Sequence, residues 1–573
     1  MIDVQSMVED EFLAWGFGYT PILDSYPIKL AFSKVYQTPK GDFQVLVPVD
    51  DLTFLKLPKP QLISMPASFE DVRLPHLEGN RTICLFDDAT KNIDPLNPRA
   101  LISACIDQLG KIIQDWVNGG NYQDIAVEFS SYWEPEQLCF LLSEQDKCRL
   151  YAFNRETLSG KKVTEYVIAT DENQISKWSS KRNIISDADV PNNLCKVIRV
   201  NVNGTFFIPF KHKWPIDTLG ELFEWLEKVD SRASHSLFDK LKNEAKEQST
   251  FMILLCADTI HVGLKLTLAP MGKAALGVSG PKKKKTNLKF AFSALAKRHC
   301  FTSFQRFLIH NAIQDYVIER NSQEINTLKN KRVCVIGCGT IGGYLAYGLT
   351  QMGAGTGRGE LALYDDDIVK TGNLGRHILG VQYLGEQKSD SLAHFLSKQT
   401  LIDTVSVHGA FKKLDIDKGW DVIFDATGEQ GFSLQLATWY RANIYRHNRS
   451  STLLVHSWIS GFGHQVKSLL DDGLGACYAC QFDYSGHNRK DRYPSFSSKN
   501  TPNPSIAFKR TCGESHLPFG SEVSMTAASL ALRLIRQTEP RKDNYLQKSM
   551  SALPIGRSER RLTTMRNCPV CQS

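Results

Sequence analysis

A short apolar run, Val333-Cys-Val-Ile336, passes directly into Gly337-Cys-Gly339-Thr-Ile-Gly342, and an apolar helical pattern continues through Leu345 and Leu349. A strand, a G-x-G-x-x-G turn and a helix in that order admit few folds. The glycines let the backbone turn sharply and approach a phosphate, and the helix offers unpaired N–H groups and the positive end of its dipole. From roughly residue 306 onward the order helix, strand, Gly-rich turn, helix, strand predicts a parallel α/β, Rossmann-like domain. Asp365 closes the next strand, Leu361-Ala-Leu-Tyr364, where a carboxylate can accept hydrogen bonds from ribose hydroxyls. To this point a nicotinamide-dependent dehydrogenase would read the same.

The following residues separate the two readings. Asp365-Asp-Asp367 is followed by Asn373-Leu-Gly-Arg376 and then by Gly385-Glu-Gln-Lys388. Asn373, Arg376 and Lys388 place a polar donor and two cations beyond the ribose carboxylate. A triphosphate needs such neutralisation as pyrophosphate leaves, and a hydride transfer does not. The plain alternative is that Arg376 and Lys388 are surface charges. Gly337 to Gly342, Asp365-x-Asp367, Asn373-Leu-x-Arg376 and Lys388 together resemble the ubiquitin-activating superfamily, which includes the bacterial ThiF- and MoeB-like enzymes. The resemblance implies an adenylation domain using ATP and Mg2+. Gly337, Gly339 and Gly342 would form the nucleotide turn and Asp365 would hold ribose. Asn373, Arg376 and Lys388 would hold the phosphates, and Asp367 would assist near the metal or phosphates. The family's Asp-x-Thr-Asp-Asn segment appears here as Asp425-Ala-Thr-Gly428-Glu429, so Asp425 and Glu429 are both open as the magnesium ligand. The arginine that family members supply ahead of the first strand is Arg320 or Arg306.

Cys477-Tyr-Ala-Cys480 and Cys568-Pro-Val-Cys571 form a CxxC…CxxC pair. Each places two thiolates on one tight turn, and two such turns complete a tetrahedral Zn2+ site. Redox pairs are the other reading of CxxC, although one redox pair would not need the second. The superfamily carries a structural zinc in this manner, and a closed four-sulfur shell leaves no position for catalysis.

Two further cysteines are candidate nucleophiles. Cys512 lies in Lys509-Arg-Thr-Cys512-Gly-Glu, where neighbouring cations favour thiolate. In activating enzymes that form thioesters the cysteine sits on such a crossover before a returning helix, here Ser524 to Ile535. Cys84 lies in Arg73-Leu-Pro-His76-Leu-Glu-Gly79-Asn-Arg-Thr-Ile-Cys84-Leu85. The segment resembles that of ubiquitin-conjugating enzymes, in which His-Pro-Asn precedes Gly-x-Ile-Cys-Leu. Leu77 and Glu78 replace Pro and Asn, which leaves Asn80 as the stand-in for the oxyanion asparagine. Ala126-Val-Glu128-Phe-Ser-Ser-Tyr132-Trp133 resembles the strand-to-aromatic segment of bacterial conjugating domains. A conjugating half and an activating half in this order resemble the fusion enzymes of bacterial CBASS anti-phage operons. That resemblance implies a thioester relay through Cys512 and Cys84, with Arg376 and Lys388 steadying charge at the adenylation step. It implies as substrate a protein with a free C-terminal carboxylate, a cGAS-like nucleotidyltransferase, joined to lysines of targets, and it implies a homodimer. The rival reading is an activating enzyme for a ThiS- or ubiquitin-like sulfur carrier, a task that needs only the last domain.

The expected architecture is therefore α/β and multidomain. An α+β ubiquitin-conjugating-like domain would span 1–150, a mixed α/β linker or partner-docking domain 151–305, and the ThiF-like domain with its zinc clip 306–573. In the first, Val8 to Phe17 and Leu101 to Val117 read as helices, and Phe43-Gln-Val-Leu-Val47, closed by Pro48, and Ile125 to Phe129 read as strands. In the second, Val197 to Val202 followed by Asn203-Gly204 reads as half of a hairpin, and Lys282 to Lys285 as a solvated loop. His212, His261 and His456 have no partner identifiable in sequence. With Lys+Arg 68 against Asp+Glu 61, a net charge of +7 over 573 residues does not suggest a nucleic-acid coat. No apolar run reaches the ~18–20 residues that span a bilayer, and the acidic Met-Ile-Asp-Val-Gln-Ser-Met-Val-Glu-Asp start lacks the order of a signal peptide. The expected compartment is cytoplasmic, where fourteen cysteines serve as thiols and metal ligands rather than disulfides.

Overall fold

Apolar residues at every second position build the first sheet. In the computed structural model Phe43, Val45, Val47 and Val49 are buried along one face of a strand, Gly41–Val49, whose intervening residues are more accessible, the period of two that a half-buried strand requires. The structure describes residues 4–21, 30–70, 72–86, 94, 96–119, 125–126, 129–182, 192–209, 212–258, 260–278, 287–320, 327–447, 452–484, 489–494, 508–511, 514–516, 519–536, 543–550 and 559–571. They fall into two units, Met1–Ala312 and Ile313–Ser573.

The first unit begins with an antiparallel sheet in the order β1 (Gly18–Tyr19), β2 (Leu30–Thr38), β3 (Gly41–Val49) and β4 (Gln61–Ser64). Pro48 lies within β3, opposite Ala31 of β2, rather than closing the strand. It is tolerated because β4 pairs only with Gln44 to Leu46, so no second neighbour needs the missing N–H. The helix Pro98–Asn118 packs on this sheet through Ile102, Ile106, Leu109, Ile113 and Trp116. Asn97 caps its start by accepting from the Ala100 N–H, Pro98 occupies the first turn, and Gly119 at φ 110° ends it. The other expected helix runs Val4–Ala14 and buries Val8 and Phe12. None of the described residues of the expected strand Ile125 to Phe129 is extended. Ile125 and Ala126 are helical, and Phe129–Tyr132 forms a helical turn, because Ile125, Phe129, Tyr132 and Trp133 are all drawn into the aromatic core of the next element.

That element is a closed barrel in the order β10-β11-β5-β7-β6-β8-β9. Its strands are β5 (Gln137–Leu141), β6 (Arg149–Glu156), β7 (Lys162–Ala169), β8 (Asn192–Asn201), β9 (Thr250–Ala257), β10 (Ile260–Leu268) and β11 (Phe301–Asn311). β8 pairs in parallel with β9 and antiparallel with β6. Asn203-Gly204 therefore does not close a hairpin: a parallel neighbour needs a crossover, supplied by the helices Leu219–Val229 and Ser231–Glu244. Trp133, Trp225, Phe129 and Phe206 pack together in its core. Lys282 to Lys285 lies outside the described residues.

The second unit is a doubly wound α/β sheet in the order β14-β13-β12-β15-β16-β17-β22-β23. β12 (Arg332–Ile336), β13 (Glu360–Tyr364), β14 (Val405–His408), β15 (Val422–Asp425) and β16 (Leu453–Ser460) are parallel. β17 (Gln465–Asp471), β22 (Tyr545–Ser549) and β23 (Glu559–Arg560) continue antiparallel. Two short hairpins, β18 (Phe482–Asp483) with β19 (Lys490–Asp491) and β20 (Phe508–Thr511) with β21 (Glu514–His516), lie outside the sheet. β12 is flanked by β13 on one side and β15 on the other, so the strand order reverses at its carboxyl end, where open α/β sheets form their ligand crevice. Among the described residues no helix is long and apolar enough to cross a membrane.

The Trp116 indole donates to the Pro75 carbonyl over 2.8 Å, tying the Pro98–Asn118 helix to the segment before Cys84. Trp116→Ala removes a buried aromatic and is expected to cost about 3–5 kcal/mol of stability; Trp116→Phe, which loses chiefly the hydrogen bond, about 1 kcal/mol. Hydrogen exchange across residues 98–118 checks both values.

Candidate nucleotide and thioester sites

At the carboxyl end of β12 the glycines are spaced by contact. Gly337 has φ +86°, and a Cβ on it would meet the Thr427 nitrogen at 2.9 Å. A Cβ on Gly342 would sit 1.8 Å from the Gly337 carbonyl oxygen, so the Thr340–Gln351 helix reaches the turn only without one. Gly339 faces open space and precedes the helix without a side-chain cap. The helix N-terminus is thus exposed to whatever occupies that space, the arrangement that receives an anion.

Asp365 ties this turn to the next strand. One carboxylate oxygen accepts from the Cys338 N–H at 2.7 Å and the other from the Asp367 N–H at 2.9 Å, each keeping a lone pair for a further donor. Asp367 in turn holds the Lys388 ammonium at 2.6 Å and that of Lys370 at 3.0 Å. Burial alone would raise the Asp367 pKa, but the hydrogen bonds from Lys388 and Lys370 outweigh it and hold the group at about 2. Lys388 is buried and is not a surface charge. The Asn373 side chain accepts from the Lys370 N–H, and its carbonyl receives the N–H groups of Arg376 and His377. The Arg376 guanidinium lies 4.2 Å from the Phe519 ring centroid, and burial lowers its pKa.

His377 was not singled out by sequence, and it joins the two halves of the site. Its Nε2 lies 2.8 Å from the Cys338 carbonyl oxygen, and its Nδ1 accepts from the Leu379 N–H. Those partners fix the neutral tautomer with the proton on Nε2. Burial lowers its pKa, and the nearby Lys388 adds to the effect while the Cys338 carbonyl opposes it.

The two candidate magnesium ligands occupy different surroundings. Asp425 is buried, and its oxygens accept from the Thr427 N–H and hydroxyl, from Ser433 at 2.5 Å and from His456 Nδ1 at 2.8 Å. Glu429 is exposed beside the same turn. His456 therefore has a partner, and so has His261, which reaches Glu144 at 3.3 Å. His212 lies 3.4 Å from Lys228. Of the candidate arginines, Arg320 ends the helix Gln314–Arg320 and is exposed. Arg306 belongs to the barrel, where it donates to the Glu134 and Ile216 carbonyls and pairs with Asp217.

The four CxxC sulfurs lie within 4.8 Å of one another. The separations are 3.9 Å for Cys477–Cys480, 3.5 Å for Cys477–Cys568 and 3.6 Å for Cys480–Cys571. Sulfurs about 2.3 Å from a common tetrahedral ion stand roughly 3.8 Å apart, so the donor set and spacing fit zinc. Hydrogen bonds within the cluster hold Cys480, Cys568 and Cys571 down to about 7 and push Cys477 up, so the four thiols titrate together rather than one by one. The approach to Cys477 is fixed by a buried pair, Arg441 and Asp471 at 2.6 Å, with Arg441 also donating to the Gly473 and Gly475 carbonyls.

In the first unit Cys84 is half-buried and ends a tight hairpin. Leu77 bridges Ile83, the Cys84 N–H donates to the His76 carbonyl at 2.8 Å, and Arg81 takes φ 65° at the turn. The Asn80 side chain accepts from the Thr82 N–H at 3.0 Å, so it stabilises its own turn. The His76 N–H donates to the Tyr132 hydroxyl at 2.8 Å, and Arg73 lies over the Tyr132 ring and pairs with Glu134. The aromatic segment after residue 126 thus braces the Cys84 hairpin. Cys512 lies outside the described residues, between β20 and β21.

Two outcomes follow from this geometry. The unfolded imidazole titrates near 6.5 and the folded His377 below it, so in that interval the unfolded chain binds the extra proton. Stability is therefore complete above about pH 6.5, falls as pH drops from there toward the folded value, and loses no more on this account below it. His377→Gln, which keeps a donor and cannot charge, should flatten this dependence in denaturation midpoints measured between pH 7.5 and 5.5. The cysteine cluster should bind one zinc per chain by elemental analysis. Cys477→Ser with Cys480→Ser should abolish it and lower the melting temperature of the second unit.

Residues 314–570 match the ThiF family and residues 28–141 match prokaryotic E2 family B. Over 569 residues the chain is 28% identical to the ATP-dependent ubiquitin transferase-like protein Cap2 of Escherichia coli (strain TW11681), covering 94% of this chain and 93% of that protein. It is 26% identical to the Cap2 protein of Vibrio cholerae, with 98% of each chain covered. A shorter likeness, 33% identity over 155 residues, links 26% of this chain to 31% of the mouse adenylyltransferase and sulfurtransferase MOCS3. With both domains on one polypeptide and homology to Cap2 proteins along nearly its whole length, the chain is a ubiquitin-like protein activating and conjugating enzyme that carries a ThiF-family domain and a prokaryotic E2 domain.

Proposed function

We propose that this enzyme adenylates the C-terminal carboxylate of a partner protein and passes the acyl group through two of its own cysteines to a lysine of a target. The observation that carries the reading is the presence of a ThiF-family match and an E2-family match in one chain. One carboxylate oxygen attacks the α-phosphorus of ATP and the bond to the β-phosphate oxygen breaks, releasing pyrophosphate. The Gly337–Gly342 turn and the Thr340–Gln351 helix N-terminus receive the phosphates, Asp365 the ribose, and Asn373, Arg376 and Lys388 the charge that builds on the leaving group. Arg320 is the proposed arginine supplied from ahead of β12. Magnesium, implied by the adenylation family, would screen the phosphates when bound beside Asp367 and Glu429. Asp425 supports the turn rather than the ion, since its oxygens are already engaged.

The Cys512 thiolate attacks the acyl carbon and AMP leaves. The Cys84 thiolate then displaces Cys512, and a lysine amine displaces Cys84, giving up a proton as the amide forms. Each transfer splits one difficult acylation into easier steps. The partner is a cGAS-like nucleotidyltransferase in bacterial anti-phage defence of the CBASS kind, a reading supported by the similarity to Cap2 proteins. The enzyme works in the cytoplasm as a homodimer. In this scheme conjugation belongs to the part matched by prokaryotic E2 family B, residues 28–141, the barrel that ends with β11 serves linkage or docking, and activation belongs to the second unit, which carries the ThiF match at 314–570. The sulfur-carrier alternative draws on the likeness to MOCS3, but that likeness covers only the activating part and leaves the E2-family match without a task.

ATP–pyrophosphate exchange on the full chain, dependent on a partner with a free C-terminus, tests the first step. Cys84→Ala should leave exchange unchanged and abolish lysine conjugates. Cys512→Ala should leave exchange and remove both reducible adducts on a non-reducing gel. Loss of exchange in Cys84→Ala, or a thiocarboxylate product without conjugates, would sink the relay.

A further inference from the structure

Behind the phosphate-binding turn a line of buried contacts runs to the cysteine cluster. Gly337 packs on the turn after β15, where a Cβ would come within 2.9 Å of the Thr427 nitrogen. Thr427 is held twice by Asp425, through its N–H at 3.1 Å and its hydroxyl at 2.7 Å. Asp425 is held in turn by His456 Nδ1 at 2.8 Å and by Ser433 at 2.5 Å. The His456 ring, 1% exposed, leans on Tyr478 with centroids 4.6 Å apart. Its Nε2 has no hydrogen-bond partner among the described residues, so the ring is oriented by Asp425 on one side and by Tyr478 on the other. The Tyr478 hydroxyl also meets Ser433, another donor to Asp425. Tyr478 stands between Cys477 and Cys480, on the turn those ligands would fix to a metal.

We infer that Tyr478 and His456 are positioning residues through which the four-cysteine site sets the geometry of the nucleotide turn. A metal-fixed turn allows Tyr478 one place, which allows the His456 ring one orientation, and the Nδ1 proton then holds Asp425 where it can grip Thr427 against Gly337. The carboxylate is buried, so loss of the His456 donor leaves a charged group one hydrogen bond short. The cysteine cluster on this account does more than staple the chain: it governs ATP affinity at a distance while touching no part of the nucleotide. The inference rests on the reading that ATP binds at the Gly337–Gly342 turn.

The test is direct ATP binding by calorimetry on the full chain, with zinc content measured on the same samples. Coupling along such a line is worth about three- to thirtyfold in affinity. His456→Ala is expected to weaken ATP binding about tenfold, and His456→Asn, whose amide places a donor near Nδ1, to stay within about threefold. Tyr478→Ala should weaken binding while retaining zinc, and Tyr478→Phe, which keeps the ring against His456, should retain most of the affinity. The double variant His456→Ala with Tyr478→Ala should be no worse than the weaker single, since both act on one carboxylate. Tyr478→Ala that keeps its zinc and binds ATP like the parent overturns the inference, as do additive effects in the double variant. Should His456→Ala not fold, the Tyr478→Ala and Tyr478→Phe pair decides by the same comparison. A parent chain that binds no ATP overturns the nucleotide reading and this inference together, whereas a parent that binds ATP with variants unchanged overturns the inference alone.

Discussion

The carboxyl end of β12 depends on how closely a helix can approach the turn before it. Gly342 sits where any side chain would overlap the Gly337 carbonyl, and that contact aims the first N–H groups of the Thr340–Gln351 helix into open space. Once the approach is made, the surrounding groups follow. Cys338 has one N–H to give, and Asp365 takes it; Cys338 has one carbonyl to offer, and His377 meets it. Asp365 also orders Asp367, which holds Lys388. The Asp365 carboxylate, the Lys388 ammonium and the His377 imidazole are thus fixed by reference to a single peptide unit.

Lys388 shows how charge is kept available at such a site. Its ammonium is buried, and the cost of removing it from water is offset by a short contact to Asp367. Asp367 itself is partly open and shared with Lys370, so Lys388 could turn to another anion without leaving the carboxylate unpaired. Arg376 is managed differently. It lies over the Phe519 ring, a contact that orients a guanidinium while consuming few of its N–H donors.

Local pattern made some of this legible and non-local pairing hid the rest. The strand-turn-helix around Gly337 could be read because period, breaker and helix start lie within a few residues of one another. The CxxC pair could be read because a tetrahedral thiolate site has one chemistry. His456 could not, since its partner Asp425 is brought to it by strand pairing between β15 and β16. Ile125 to Phe129 has the composition of a strand, but Ile125 and Phe129 pack into the barrel's hydrophobic core, a partner that the local pattern cannot name. Asn203-Gly204 carries a hairpin signal that the parallel pairing of β8 and β9 overrides. Pro48 looked like a boundary because sequence does not say which edge of a strand is unpaired.

Barrel closure has a practical corollary for anyone who wishes to dissect the molecule. β5 pairs in parallel with β11 on one side and with β7 on the other, so residues 137–141 and 301–311 lie side by side although far apart in sequence. A cut at residue 150 would carry off β5 with neither neighbour, exposing two bare rows of backbone donors and acceptors on a short strand, and would leave a seven-strand barrel open by one stave. Tyr132 and Trp133 would travel with that fragment, away from Trp214 and Trp225 with which they pack. The conjugating portion therefore cannot be trimmed there, or at residue 141 where its family match ends, without taking β5 out of the barrel.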